Sequence, residues 1–202
     1  MAHDNWTFFH AFLRSPQVVA SVIPSSSFVE RRVVRAAGAA EAGVVVELGG
    51  GTGGITRALL KAMGPQAHLL VFERTARFVD KLSAIHDPRL AVIHGCASTI
   101  AAELQYRDLT AADAVVSGIP FSTLPKPLAA EIITAVHDVL APGGVFVAYQ
   151  FTDRVADYTR PVMGTPLVEF EICNVPPLRL FTWRKDPVPG AAGERSLARI
   201  GA

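Results

Sequence analysis

Within eight consecutive positions of this 202-residue chain stand a carboxylate, Glu47, and five glycines: Gly49, Gly50, Gly51, Gly53 and Gly54. Glycine reaches positive φ at little steric cost and lets a ligand approach the backbone with no Cβ in the way. Backbone N–H groups at a helix start then face that ligand. Val44-Val45-Val46, just before the turn, reads as a buried parallel strand. Ile55–Met63, just after it, reads as a helix, because Ile55, Leu59, Leu60 and Met63 share one face. Strand, glycine turn and helix start together make a holder for a nucleotide-like ligand.

Two ligand classes fit the turn. Gly49, Gly51 and Gly54 match the dinucleotide spacing G-x-G-x-x-G, and Glu73 stands near the distance of a ribose-binding acid. Glu47, Gly49, Gly51 and Gly53 match E-x-G-x-G-x-G, the turn of class I S-adenosylmethionine methyltransferases. Glu47 favours the second reading, since an acid beside the helix start would repel a pyrophosphate. Length favours it too: 202 residues accommodate one methyltransferase domain and leave little room for a second, substrate-carrying one.

The rest of the chain supplies the frame for that turn. Ser27 and Glu30 read as a capping box opening a helix through Phe28, Val29, Val33 and Val34. His68–Phe72, Leu90–His94, Ala114–Val116 and Val145–Gln150 read as further strands. Thr75–Ile85 and Leu128–Leu140 read as helices, the latter closed by Pro142-Gly143-Gly144. Val168–Asn174 and Leu178–Trp183 read as two strands joined antiparallel through Pro176-Pro177. The expected fold is α/β: a single Rossmann-like class I methyltransferase domain with a seven-stranded, mostly parallel sheet, an antiparallel final strand and helices on both faces. Residues 1–40 are expected to form an N-terminal helical lid and membrane contact, 41–186 the catalytic domain, and 187–202 a flexible tail.

Composition narrows the classes. Hydrophobic residues make up 50% of the chain, enough for one sizeable core. No apolar run approaches the ~20 residues that span a bilayer, and Trp6–Leu13 is too short and too broken by His10 for a secretion signal. Two cysteines, Cys96 and Cys173, read as reduced thiols, which fits a cytoplasmic location. A net charge of +1 argues against a broad nucleic-acid surface. The six histidines show no ligand-like pairing, so no metal site is expected. Trp6, Phe8, Phe9, Phe12 and Leu13 form an aromatic stripe at helical spacing, with Arg14, Arg31, Arg32 and Arg35 nearby. Such a stripe is often core, but at a terminus, beside basic residues, it also suits an anionic membrane surface.

Several separated motifs resemble one family, the bacterial phospholipid N-methyltransferases, related in sequence to the rRNA adenine dimethylases. They are Val22-Ile23-Pro24-Ser25-Ser26, Glu47–Gly53, Ser117-Gly118-Ile119-Pro120-Phe121, Gln150-Phe151-Thr152, Asn174-Val175-Pro176-Pro177-Leu178-Arg179 and Trp183-Arg184-Lys185. The resemblance implies S-adenosyl-L-methionine as methyl donor, S-adenosyl-L-homocysteine as product, and phosphatidylethanolamine with its partly methylated forms as acceptors. It implies a cytoplasmic enzyme peripheral to the inner face of the membrane. It places Glu47, Gly49, Gly50, Gly51, Thr52, Gly53, Glu73, Arg74, Cys96, Ala97 and Ser117 around the donor. Ser117, Gly118, Ile119, Pro120 and Tyr158 are the expected acceptor-side residues.

Two positions depart from the family. Gly95-Cys96-Ala97 stands where the family carries Gly-Asp-Ala, so the adenine would be held by backbone groups and apolar packing. Asp153 stands where an aromatic residue follows Gln-Phe-Thr. Gly118 occupies the place of the dimethylases' Asn, leaving room for a flexible amine instead of a planar adenine edge. No catalytic base is evident; Tyr149, Asp153 and Tyr158 qualify by position, and water could serve. The alternatives are a class I enzyme acting on a small molecule or an RNA adenine, and a binding protein that keeps the donor site without catalysis.

Overall fold

The computed structural model describes residues 26–172, 174 and 177–187. The aromatic stripe from Trp6 to Leu13, the Pro24-Ser25 entry, Cys173 and the tail beyond Pro187 lie outside the described residues.

The elements follow in the order α1 (Ser27–Ala36), β1 (Val44–Leu48), α2 (Gly54–Ala62), β2 (His68–Glu73), α3 (Ala76–Ser83) and β3 (Leu90–His94). A short 3-10 turn leads into α4 (Ile100–Tyr106) and β4 (Ala112–Ser117), then α5 (Lys126–Val139) and β5 (Leu140–Gln150). The chain continues through α6 (Arg154–Met163), β6 (Leu167–Glu171) and β7 (Leu178–Arg184). The seven strands lie in the order β3-β2-β1-β4-β5-β7-β6. Pairings among β3, β2, β1, β4 and β5 are parallel, and β7 runs antiparallel to both of its neighbours. The architecture is the class I methyltransferase sheet expected from the strand–helix alternation.

Both faces of the sheet are covered, which is why its strands read as continuous apolar runs. One face buries Val45, Leu69, Val71 and Val116 beneath α1 and α2. The other buries Val46, Phe72, Val115 and Phe146 beneath α4, α5 and α6. Trp183 stacks on Phe146 at 5.2 Å, and its indole N–H donates to the Gly164 carbonyl, so the antiparallel strand is keyed into the second layer.

Four local readings change. The cap of α1 is Ser26, whose Oγ accepts from Val29 N–H, so Ser27 and Glu30 form no capping box. Helix α5 ends at Val139, and Pro142-Gly143-Gly144 lies inside β5, where a register shift and φ of +78° at Gly143 absorb the extra residues. Lys185 caps the end of α5 instead, its Nζ donating to the His137 and Leu140 carbonyls. Helices α4 and α6 had no expectation attached; α6 even carries Pro161 in its interior.

Helix α1 falls inside the segment 1–40 expected to lie apart from the core, yet Val29 and Val33 are buried against the sheet. The domain's packed body therefore begins before Val44. Val33→Ala is expected to cost about 2 kcal/mol of unfolding free energy, the scale for removing two buried methyl groups. Denaturant titration of the full chain measures it, and a change below about 0.5 kcal/mol would mean that α1 is only loosely seated.

Candidate active site

At the carboxyl end of the sheet, the connections that follow β1, β2, β3 and β4 enclose a cavity of about 250 Å³. Open parallel sheets bind ligands at this end, where neighbouring connections diverge to opposite faces. Gly49, Gly50, Gly51 and Thr52 form one wall; Glu73, Arg74, Cys96 and Ala97 form the next. Gly118, Ile119 and Pro120 close the far side, with Leu124, Leu128, Ile132 and Tyr149 beyond them.

The glycine turn resolves the two spacings physically. Gly49, Gly51 and Gly53 have φ of +80°, +53° and +83°, so the left-handed positions follow the methyltransferase spacing. Gly50 is required for space: a Cβ there would lie 2.5 Å from Val71 Cγ1 and 2.9 Å from Leu82 Cδ1. At Gly54 a Cβ would meet only the flexible end of the Glu30 side chain of α1, at 2.8 Å, so space constrains this glycine less than it does Gly50. Arg57 holds the outer side of the turn, its guanidinium donating to the Thr52 and Gly53 carbonyls.

Two carboxyl groups sit under this turn in different states. Glu73 accepts from Gly51 N–H through Oε2, and from Arg74 and Thr75 N–H through Oε1, at 2.8–2.9 Å. It ties the glycine turn to the end of β2 and presents its edge to the cavity. Glu47 is fully buried on the α2 side of β1, with Oε2 accepting from Thr56 Oγ at 2.7 Å. Its Oε1 has no hydrogen-bond partner. Burial pushes the Glu47 carboxyl up from 4.5 to about 7, opposed by the Thr56 hydrogen bond and reinforced by the nearby Glu73 charge. A buried acceptor with no donor calls for one from outside the protein, and a ligand ammonium is such a donor.

On the acceptor side the structure separates residues that the sequence grouped. Ser117 is fully buried and does not line the cavity; its Oγ accepts from Ile119 N–H and shapes the turn. Gly53 likewise acts through backbone conformation and does not line the cavity. Tyr158 packs toward Phe121, ring centroids 6.3 Å apart, outside the cavity lining. Tyr149 takes the lining position instead. Its hydroxyl lies 2.2 Å from where a Cβ on Gly118 would stand, so the glycine is what allows the tyrosine into the site. Gln150, missed by sequence reading as a site residue, donates from Nε2 to the Ile119 carbonyl and fixes the turn from β5. Its place in the Gln-Phe-Thr motif was the available signal. Asp153 stands at the N-terminal boundary of α6, where its side chain makes no capping hydrogen bond, and does not line the cavity.

A methyltransferase-domain family model matches residues 45–144. An ornithine lipid N-methyltransferase of Singulisphaera acidiphila is 36% identical over 186 residues, covering 90% of this chain and 96% of that relative. The chain belongs to this methyltransferase family. Solved structures agree on the fold: the N-methyltransferase NodS of Bradyrhizobium japonicum superposes with a TM-score of 0.64 at 12% identity, over 79% of this chain and 95% of that one. Human N-acetylserotonin methyltransferase, solved with S-adenosylmethionine, gives a TM-score of 0.56 at 12% identity, over 78% of this chain and 51% of the human one. The family uses S-adenosylmethionine, and the cavity fits it chemically: a backbone turn open to close approach and an acid at the end of β2 line it, while Glu47, with its unpartnered Oε1, is buried behind the turn and outside the lining. Among the described residues no group of three or more His, Cys, Asp or Glu side chains could hold a metal ion.

Glu47 links this site to stability. Its folded-state value of about 7 lies above the ordinary 4.5, so between those pH values the native chain holds a proton that the unfolded chain has released. The residue thus lowers stability progressively from pH 4.5 to 7, and by a constant amount above that, on the order of 3 kcal/mol. Glu47→Gln is expected to stabilise the cofactor-free protein at pH 8 by on the order of 1–3 kcal/mol, with the gain vanishing by pH 4.5. Thermal or denaturant unfolding across that range measures it; a gain independent of pH would mean that charge burial is not its cause.

Proposed function

We propose that this enzyme transfers methyl groups from S-adenosylmethionine to the amine of a polar lipid headgroup. The observation that carries the reading is the apolar, tyrosine-walled acceptor side of the cavity, opened by Gly118. An Asn side chain at position 118, as in the adenine dimethylases, has no room, because the Tyr149 hydroxyl fills that volume. The motifs around Ser117 and Asn174 point to phosphatidylethanolamine and its partly methylated forms. The relative in Singulisphaera acidiphila favours a second acceptor, the amine of an ornithine lipid. Both present an aliphatic amine on a membrane lipid.

When bound, S-adenosylmethionine supplies a methyl group on a sulfonium, open to in-line displacement by a nitrogen lone pair. The protein's part is largely placement and exclusion of water. Glu47 would take the ammonium of the donor's amino-acid end at Oε1, directly or through a water. The positive-φ turn from Gly49 to Gly53 would carry that end, and Glu73 would accept from the ribose hydroxyls with its remaining lone pairs. Cys96 and Ala97 would flank the adenine. At the other end, Leu124, Leu128 and Ile132 make the cavity wall apolar. Burying an amine against such a wall disfavours its charged form, which helps expose the lone pair that the reaction needs. Tyr149 would then face the amine at the Gly118 turn.

Two measurements test this. Donor titration by calorimetry is expected to show Glu73→Ala weakening binding by about 1.5–3 kcal/mol, the scale of a lost hydrogen bond to a charged group; unchanged affinity would reduce Glu73 to an anchor of the glycine turn. Mass spectrometry of lipids from cells expressing the chain, with purified enzyme given phosphatidylethanolamine and ornithine lipid in parallel, is expected to reveal N-methylated lipid. Methylation of a soluble amine or an RNA adenine without any lipid product would overturn the acceptor assignment.

A further inference from the structure

We propose that the β6 edge and the start of α1 form a docking surface for an anionic lipid bilayer, which sets the mouth of the cavity against the membrane. The proposal rests on the lipid-acceptor reading above. Its basis is where the exposed apolar side chains fall. Of the seven large ones exposed among the described residues, Leu167, Val168, Phe170 and Ile172 come from β6 and the residue after it. Every residue of β6 except Glu171 is exposed, Phe170 at 59%, with Ile172 just after it at 77%, so consecutive positions on both faces are open, as they would not be in a strand buried on one face. Phe28, 47% exposed, joins them at the start of α1. That helix start is tied to the β6–β7 connection by Ser26 N–H, which donates to Asn174 Oδ1.

This surface is at the same end of the sheet as the cavity. Strand β6 is parallel to β5, because both run antiparallel to β7. Arg179 is the register partner of both Gln150 and Phe170, so the three lie in one row across the sheet. At strand spacing, Phe170 is roughly 10 Å from Gln150, the residue that holds the Ile119 carbonyl at the cavity.

Charge selects the occupant. The Arg31 guanidinium lies 4.7 Å over the Phe28 ring and that of Arg179 lies 5.6 Å over Phe170. Neither arginine is ion-paired among the described residues. Exposed rings carrying unpaired cations suit an interface where apolar groups enter the acyl boundary and cations meet anionic headgroups. A second copy of the chain adding a strand is disfavoured. Arg32 donates to the Phe170 carbonyl and pairs with Glu169 and Glu171, placing charged groups along β6, as protected sheet edges do.

The test uses the full chain and vesicles of phosphatidylcholine with and without phosphatidylglycerol. Binding is read by flotation, and turnover by assay on a short-chain, water-soluble lipid amine without vesicles. The wild-type protein is expected to bind the anionic vesicles and to release them as salt rises. R31Q/R179Q should weaken that binding about fivefold for each cation removed, and F170S/I172S should lose most of it. Both should keep the wild-type melting temperature and the wild-type turnover of the short-chain amine. Y106S is the control. Tyr106 is 82% exposed under the Arg107 guanidinium, and ends α4, whose chain leads into β4 at the opposite end of the sheet. Should F170S/I172S melt early, R31Q alone decides the charge contribution, since that side chain lies at the surface. Wild-type binding by the double variants, an equal loss in Y106S, or no wild-type binding to anionic vesicles overturns the surface. Failure of the wild-type enzyme to methylate any lipid amine, short-chain or vesicular, overturns the acceptor reading instead, whatever the vesicles bind.

Discussion

Glu47 is a carboxyl group buried at the end of β1 with one protein hydroxyl to bond and one oxygen left over. In water such a group would be ionised at neutral pH. In the sheet it is balanced near pH 7, because desolvation disfavours its charge more than Thr56 supports it. The surrounding architecture holds that balance in place. The turn leaves β1 through left-handed glycines, and α2 begins where Thr56 can meet Oε2. The arrangement costs the empty protein stability as pH rises above the ordinary carboxyl range.

The cavity is accordingly divided by chemistry. Its β1–β2 side is made of the glycine turn and the Glu73 carboxylate, which three amides hold before any ligand arrives, with Glu47 buried behind the turn. Its far side is made of Leu124, Leu128, Ile132 and the Tyr149 ring. One side organises charge; the other discourages it. For a reaction between a cationic donor and an amine that must be neutral, this division is the useful one.

Most of the frame was readable from residue pattern, because strands buried on both faces leave unbroken apolar runs and turns leave glycines. The antiparallel finish around Leu178–Trp183 was visible for the same reason. The misreadings share a cause: tertiary contacts overrode local signals. Pro142-Gly143-Gly144 resembles a helix stop, but the strand ladder with β4 and Lys185 captured it. Ser27 and Glu30 have the spacing of a capping box, but the cap is Ser26, one residue earlier, whose Oγ accepts from Val29 N–H. Helix α6 hid behind Pro161, and α4 is only seven residues long. In the site, the cavity wall formed by the glycine turn and Glu73 was legible, though Glu47, Gly53 and Ser117 stand outside the lining. The acceptor side was not: Tyr149 and Tyr158 are equally plausible in sequence, and only the strand alternation of β5 puts one at the cavity while α6 carries the other toward Phe121.

The packing of Tyr149 against Gly118 also limits how this chain can change. The two positions lie 31 apart in the chain but occupy one volume, with the phenol oxygen of one in the space any side chain on the other would need. Neither can be altered to an adenine dimethylase-like residue alone: an Asn at 118 collides unless 149 has already shortened, and shortening 149 first leaves a void beside a bare glycine. Their substitutions are therefore epistatic, and a lineage moving between planar and flexible acceptors has to pass through a hollowed intermediate or change both positions together.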